Sequence, residues 1–221
     1  KKYYKLSFHF KIKFTKKIKL FFRKLLPSIL SSGVTQINIL VGTIIASFEA
    51  SAVSYLYYAD RLYQINLALA GIAVGTVSLP ILSKAFKEKN ITKISSIQCK
   101  SIELSLLLSI PASLGLIIAS QEIVSALFGY GSFTLENVKM TSAALKFFGY
   151  GVPAFALIKI LSNFFFARSN TKTPFYISIF IVLLNIIISL SFFSSYGFIV
   201  IPIATSFSTW VGVIIYIYIL N

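Results

Sequence analysis

Charge is scarce in this chain, and acidic charge scarcer still. Charged residues make up 12% of the 221 positions, with only six carboxylates, one histidine and one cysteine. Soluble domains carry about 25% charged residues, so this composition belongs in lipid. The lone Cys99 excludes an internal disulfide. Six acids and one imidazole leave little from which to build a metal site or an acid–base catalyst, and no metal, cofactor or enzymatic activity is expected. The start has neither a methionine nor a short apolar run with a cleavage site, so no signal peptide is expected and the chain reads as part of something longer.

Apolar residues take 57% of the sequence, and the mean hydropathy is +0.84. They gather into six segments long enough to cross a bilayer: 27–48, 52–82, 102–120, 142–167, 176–193 and 198–220. The expected architecture is an all-α membrane protein with six transmembrane helices. Pro27 suits the first turn of its helix, where the missing N–H is not needed. Pro80 and Lys84 end the second segment, and Pro111 and Pro153 should bend the third and fourth, the latter beside Gly149 and Gly151. Lys and Arg in short connections stay on the cytoplasmic side. The second-to-third connection carries Lys84, Lys87, Lys89, Lys93 and Lys100, and the fourth-to-fifth carries Arg168 and Lys172. The first has only Glu49, the third has Glu122 and Glu136 against Lys139, and the last has no charge. Both termini are therefore expected in the cytoplasm.

The net charge of +15 is uneven, for Lys1 to Lys24 holds ten basic residues and no acid, leaving +5 for the rest. Within residues 1–26, Phe14, Ile18, Phe21, Phe22 and Leu25 recur at helical spacing, with Lys13, Lys16, Lys17 and Lys24 largely off that stripe. This predicts a basic, interfacial amphipathic helix ahead of the membrane domain 27–221. It suits an anchor on anionic membrane lipids. No nucleic-acid-binding fold accompanies it, and no nucleic-acid partner is expected.

Asp60 and Arg61 interrupt an otherwise almost uncharged stretch from Ala52 to Leu82. An ionised side chain at bilayer depth costs about 2.5 to 3.5 kcal/mol on insertion scales, so it faces a partner, a water-filled cavity or an anionic ligand. Arg61 is ten residues from the turn near Ser51, about 15 Å of continuous helix, which is half of a hydrocarbon core of about 30 Å. Neighbours on a helix point about 100° apart, so Asp60 and Arg61 make a poor pair and the guanidinium is left available. Its planar fork binds phosphate bidentately and stays charged where a lysine loses its proton. Lys159, deep in the fourth segment, is the second candidate for the same cavity; Lys146 and Glu103 lie nearer segment ends and read as interfacial. Gly71 and Gly75 form a small-xxx-small pair, suited to close helix packing or to a bending point. Gln36, Asn38 and Asn185 need hydrogen-bond partners, most simply across helices.

Tyr57, Tyr58, Ala59, Asp60, Arg61 and Leu62, followed by Gly71, Val74, Gly75, Thr76, Leu79, Pro80, Leu82, Ser83 and Lys84, resemble the MurJ (MviN) family of lipid II flippases in bacterial cell-wall synthesis. Leu127 to Thr134 and then Phe165, Phe166, Ala167, Arg168, Thr171, Lys172, Thr173 and Pro174 resemble two of its loops, in order and at family spacing. The resemblance implies a MOP-type fold, in which two six-helix lobes surround a central cavity and two further helices usually follow. This chain resembles the second lobe, with its basic segment similar to the linker between lobes. What the resemblance implies for Arg61 is contact with the pyrophosphate of lipid II, in the bacterial inner membrane and together with the missing first lobe. Some relatives hold a cation through acidic residues on the first and fifth spans of this lobe; here those spans offer Asn38 and Asn185, so membrane potential is the simpler driver. The family's acid three positions after the arginine is Gln64 here. The alternatives are another MOP exporter, of oligosaccharide-lipids or of drugs, and a membrane scaffold that transports nothing.

Overall fold

Lipid offers no water to a backbone N–H or C=O, so apolar segments of this length satisfy their own peptide groups by becoming helices. The computed structural model describes residues 36–220, together with Ile18 and Gly33. The amphipathic segment predicted over 1–26, apart from Ile18, and most of 27–35 lie outside the described residues. Among the described residues eight α-helices follow one another: α1 Gln36–Ala46, α2 Ala52–Leu67, α3 Val74–Lys87, α4 Ile91–Ile118, α5 Ser120–Phe128, α6 Leu135–Ala167, α7 Lys172–Tyr196 and α8 Val200–Leu220. A π-helical segment, Ala68–Ala73, joins α2 to α3 without a break, giving one apolar rod of 36 residues. Gly197–Ile199 is a single 3₁₀ turn in which Gly197, at φ 62°, reverses the chain.

Contacts between helices fix their directions. Asn185 bonds Thr205 and Gly212 abuts Ile181, so α7 and α8 form an antiparallel hairpin. Gly71 faces Ala156 and Gly75 faces Asn163, so α3 runs parallel to α6; Phe147 and Tyr150 of α6 accept bonds from Ser206 and Trp210, so α8 runs parallel to α6 as well. Asn38 meets Asn185 and Phe48 meets Phe193, so α1 runs parallel to α7. The second, fourth and sixth crossings thus share one direction, and the first and fifth share one with each other. The α1–α2 turn is tied to the α7–α8 turn by the Phe198 N–H, which donates to Glu49 Oε2 at 2.7 Å.

The helices of the second to fifth crossings are longer than the predicted spans. Hydropathy marks the length that meets lipid, whereas capping marks the length that is helical. The connection predicted over Lys84 to Lys100 shrinks to Glu88–Asn90, because α3 continues through Pro80 and α4 starts at Ile91, where Asn90 Oδ1 accepts the Lys93 N–H at 3.0 Å. Pro80 does not end the helix: it and Thr76, whose carbonyl it leaves without a donor, are both on an exposed face. The connection predicted over Gln121 to Lys139 contains α5, and α6 starts at Leu135 under the cap of Thr134.

Helix α6 is the axis of the assembly. It packs against α2, α3, α4, α5 and α8, and most of its length from Val138 to Phe165 is buried, with Lys146 and Lys159 left exposed. One core gathers Phe148, Phe155 and Val152 with Leu62, Leu116, Val124 and Phe198; a second gathers Leu161, Phe164 and Phe165 with Leu82, Ile177, Val213 and Tyr216. Pro153 sits in the middle of this helix and has no N–H to offer the Gly149 carbonyl one turn back. A neighbouring helix supplies the donor: Ser113 Oγ of α4 reaches Gly149 O at 2.7 Å. From α8, Ser206 Oγ reaches Phe147 O at 2.8 Å and Trp210 Nε1 reaches Tyr150 O at 2.9 Å. Ser113 is the last of a buried stripe with Ser101, Ser105 and Ser109 along α4. The hydroxyls of Ser105 and Ser109 have no partner among the described residues, so these two contribute by being small.

Removing the external donor should matter only while the proline is present. Ser113→Ala should destabilise the protein by about 1 to 3 kcal/mol, the effect of a buried unpaired carbonyl, and most of that loss should vanish in a Pro153→Ala background, where residue 153 can donate for itself. Thermal unfolding of the four proteins in one detergent forms the cycle; equal losses in both backgrounds would disprove the cap.

Candidate functional site

The polar arc of α2 is set by its first turn. Ser51, at φ 62°, swings the chain out of the α1–α2 connection, and α2 then runs without interruption past Arg61. Ala52, Ala59 and Leu62 are buried, and Tyr55 and Tyr63 on that side pack their rings on Phe198 and on Phe148 and Phe155. The opposite side is exposed along Ser54, Tyr57, Arg61, Ile65, Ala68, Ile72 and Thr76, one stripe at helical spacing.

Arg61 is exposed on that stripe, and its side chain folds back along it. The guanidinium carbon lies 4.8 Å from the centroid of the Tyr57 ring, and Nη2 donates to the Tyr57 hydroxyl at 3.3 Å. Such a contact attracts a cation by about 0.5 to 1 kcal/mol at an exposed site and holds the fork in one place. The half-buried Asp60 carboxylate is engaged elsewhere: Gln64 Nε2 donates to Oδ2, and the Tyr63 hydroxyl stands beside it. Among the described residues the ion pairs are Lys84–Glu88 and Lys93–Glu88, and neither Asp60 nor Arg61 makes one. The positive charge therefore points outward with no carboxylate closed upon it. Tyr57, four residues before Arg61, was not singled out from the sequence as part of the site, although its spacing places it on the arginine's face.

Lys159 is exposed on α6. The pairing of Gly71 with Ala156 and of Gly75 with Asn163 puts it level with Ala73, twelve residues or about 18 Å along the axis from Arg61. The structure does not bring the two cations together. Lys146, closer to Arg61 in level, is two residues from Phe148 and so lies about 200° around α6 from the contact with Tyr63.

Gly71 lies inside the π-helical segment, and a Cβ there would stand 3.0 Å from Ala156 Cα; at Gly75 it would stand 2.7 Å from Asn163 Nδ2, which donates to Gly75 O at 3.0 Å. Pro111 is exposed within α4 and Pro153 buried within α6, and both helices continue past them. Asn185 Nδ2 donates to Asn38 Oδ1 at 2.7 Å and to Thr205 Oγ1 at 3.3 Å, and Ser189 Oγ donates to Asn185 Oδ1 at 3.2 Å. This polar cluster links α1, α7 and α8 and contains no carboxylate. Among the described residues no three His, Cys, Asp or Glu side chains gather as metal ligands.

Residues 2–221 match the family described as lipid II flippase MurJ. The chain is similar to probable lipid II flippases MurJ of Rickettsia prowazekii, 39% identical over 184 residues covering 83% of this chain and 36% of that protein. A second, from Rhizobium meliloti, is 40% identical over 190 residues covering 86% and 36%. The fold superposes on a solved lipid II flippase MurJ in an inward closed conformation with a TM-score of 0.81 at 32% identity, covering 95% of this chain and 45% of that one. It also superposes on an outward-facing multidrug-resistance MATE transporter of the MOP superfamily, with a TM-score of 0.78 at 18% identity, covering 95% and 48%, a likeness of fold alone. The chain spans a little over a third of the length of these curated relatives.

The close approach at Gly71 is open to test. Gly71→Ala should lower stability by about 1 to 3 kcal/mol through overpacking against backbone, whereas Gly115→Ala, where nothing lies within 4 Å of the added carbon, should not. Equal unfolding temperatures for the two variants in detergent would rule the contact out.

Proposed function

The chain belongs to the lipid II flippase MurJ family, a family of transporters, and from that premise we propose that it is the second six-helix lobe of a protein that moves lipid II across the bacterial inner membrane by alternating access. Flipping is the work of a longer assembly, with a first lobe closing a cavity over the exposed stripe of α2. One observation carries this reading: Arg61 is held on Tyr57, exposed, with the neighbouring carboxylate turned to Gln64 and Tyr63. A guanidinium so placed is ready for a diphosphate, which would offset the penalty of keeping that charge at bilayer depth. Asp60 then acts as a neighbour that tunes the local charge, and Lys159 as a second cation, about 18 Å nearer the Lys84 end, for a substrate that is long and multiply charged.

Binding of the anionic head group between lobes would neutralise the cavity cations and favour closure, followed by rocking of one bundle against the other. The neutral Asn38–Asn185–Thr205 cluster favours membrane potential over a coupling cation as driver, at about 2.3 kcal/mol per charge per 100 mV. Both termini are assigned to the cytoplasm by the lysines and arginines at the α3–α4 and α6–α7 connections, with the basic segment 1–26 resting on anionic lipid. An exporter of drugs is the second reading, for which the MATE likeness gives the fold; such a pocket wants a carboxylate available to cations, and Asp60 is engaged.

In the full-length protein, Arg61→Ala should abolish complementation of a flippase-depleted strain while leaving membrane abundance intact, and Tyr57→Phe should weaken it less. Wild-type complementation by Arg61→Ala would remove the site.

A further inference from the structure

At the Lys84 end of the helices a second cationic feature lies far from Arg61. A cavity of about 530 Å³ opens between the end of α3 and the α6–α7 connection, lined by Lys87 and Arg168, by the hydroxyl residues Ser83 and Ser169, and by the rings of Phe86 and Phe166. The Arg168 guanidinium carbon lies 4.9 Å from the Phe86 ring centroid, so the fork is already positioned over an aromatic wall. No carboxylate lines the cavity. The nearest in sequence, Glu88, is paired with Lys84 and Lys93, and neither Lys87 nor Arg168 makes an ion pair among the described residues.

Two helix C-termini meet here, and each brings about half a negative charge. Both are closed in the same way, by a residue in left-handed conformation, Lys89 at φ 53° and Ser169 at φ 59°. Their backbone amides fold back onto the last-turn carbonyls, Lys89 N onto Phe86 O and Asn90 N onto Ala85 O, Ser169 N onto Phe166 O and Asn170 N onto Phe165 O. The carbonyls of Ala85, Phe86, Phe165 and Phe166 are thereby occupied, and the two full cations outweigh the two half charges by about one unit. The level is interfacial. Ile81, Ile91 and Tyr176 are exposed apolar or aromatic residues near these helix ends, while lysines crowd the connection itself.

We propose that this cavity binds the phosphate of an anionic phospholipid, with Arg168 and Lys87 on the phosphate, Ser83 and Ser169 beside it, and Phe86 and Phe166 against the glycerol and first acyl carbons. A basic cavity between helices with apolar walls at headgroup level suits a lipid phosphodiester better than a soluble anion, which would leave the aromatic walls unmatched. The site is independent of Arg61 and of what is transported.

The test is native mass spectrometry of the full-length protein taken from bilayers of phosphatidylcholine with a minority of phosphatidylglycerol. Retained phosphatidylglycerol should fall by about fivefold for each charge removed in Lys87→Gln and Arg168→Gln, with retained phosphatidylcholine and the unfolding temperature unchanged; Arg168→Lys, which keeps charge but loses the fork, should fall in between. Lys139→Gln, exposed at the opposite end of α6 and outside the cavity, should leave the count as it is. Retention of phosphatidylglycerol by the Lys87→Gln, Arg168→Gln double variant at the wild-type level would overturn the proposal. So would an equal loss through Lys139→Gln, or its displacement by millimolar inorganic phosphate, which would assign the cavity to a soluble anion.

Discussion

The rest of this structure depends on how one enclosed helix satisfies its own backbone. Helix α6 carries the contacts that hold α2, α3, α4, α5 and α8 together, and it contains a proline at its centre. In water a broken helical bond is repaired by solvent; in a buried apolar setting the freed carbonyl must find a donor from the protein. Ser113 and Trp210 reach the two carbonyls that precede Pro153 by four and three residues, and Ser206 reaches a third nearby. The side chains that mend the defect also fix α4 and α8 against α6. The repair at Pro153 and two helix interfaces are therefore one set of hydrogen bonds.

The placement of small residues follows from the same crowding. Without a hydrophobic drive between helices in lipid, close approach and interhelical hydrogen bonds supply the association. Gly71 lets α3 come within contact of Ala156, Gly75 presents its carbonyl to Asn163, and the serine stripe lets α4 lie on α6. Asn38, Asn185 and Thr205 do for α1, α7 and α8 what the glycines do for α3 and α6, by polar contact in place of proximity.

Charge is handled by separation. Asp60 and Arg61 are adjacent, yet helical geometry turns them about 100° apart, and each finds its own company one turn away: Gln64 for the acid, Tyr57 for the base. Had they closed on each other the pair would be neutral and inert towards an anion. In the proposed function that exposed fork meets the diphosphate of lipid II, and in the proposed lipid site the basic ends of α3 and α6 meet an anionic phospholipid.

Much of this was legible in the residues. Six apolar lengths, their alternating basic connections and the isolation of Arg61 follow from hydropathy, the cost of buried charge and the angle between helical neighbours, which are local or near-local quantities. Family membership was legible too, in the run from Tyr57 to Lys84 and its two later companions. Helix ends were less so, because caps at Asn90 and Thr134 extend helices past the apolar stretch that hydropathy marks. The tertiary structure alone decided that Lys159 stands about 18 Å along the axis from Arg61, and that Ser113 of α4 supplies Gly149 with the donor missing at Pro153. Register between helices is a property of packed pairs, set by where small and large side chains interlock, and composition along one chain does not encode which turn of one helix meets which turn of another.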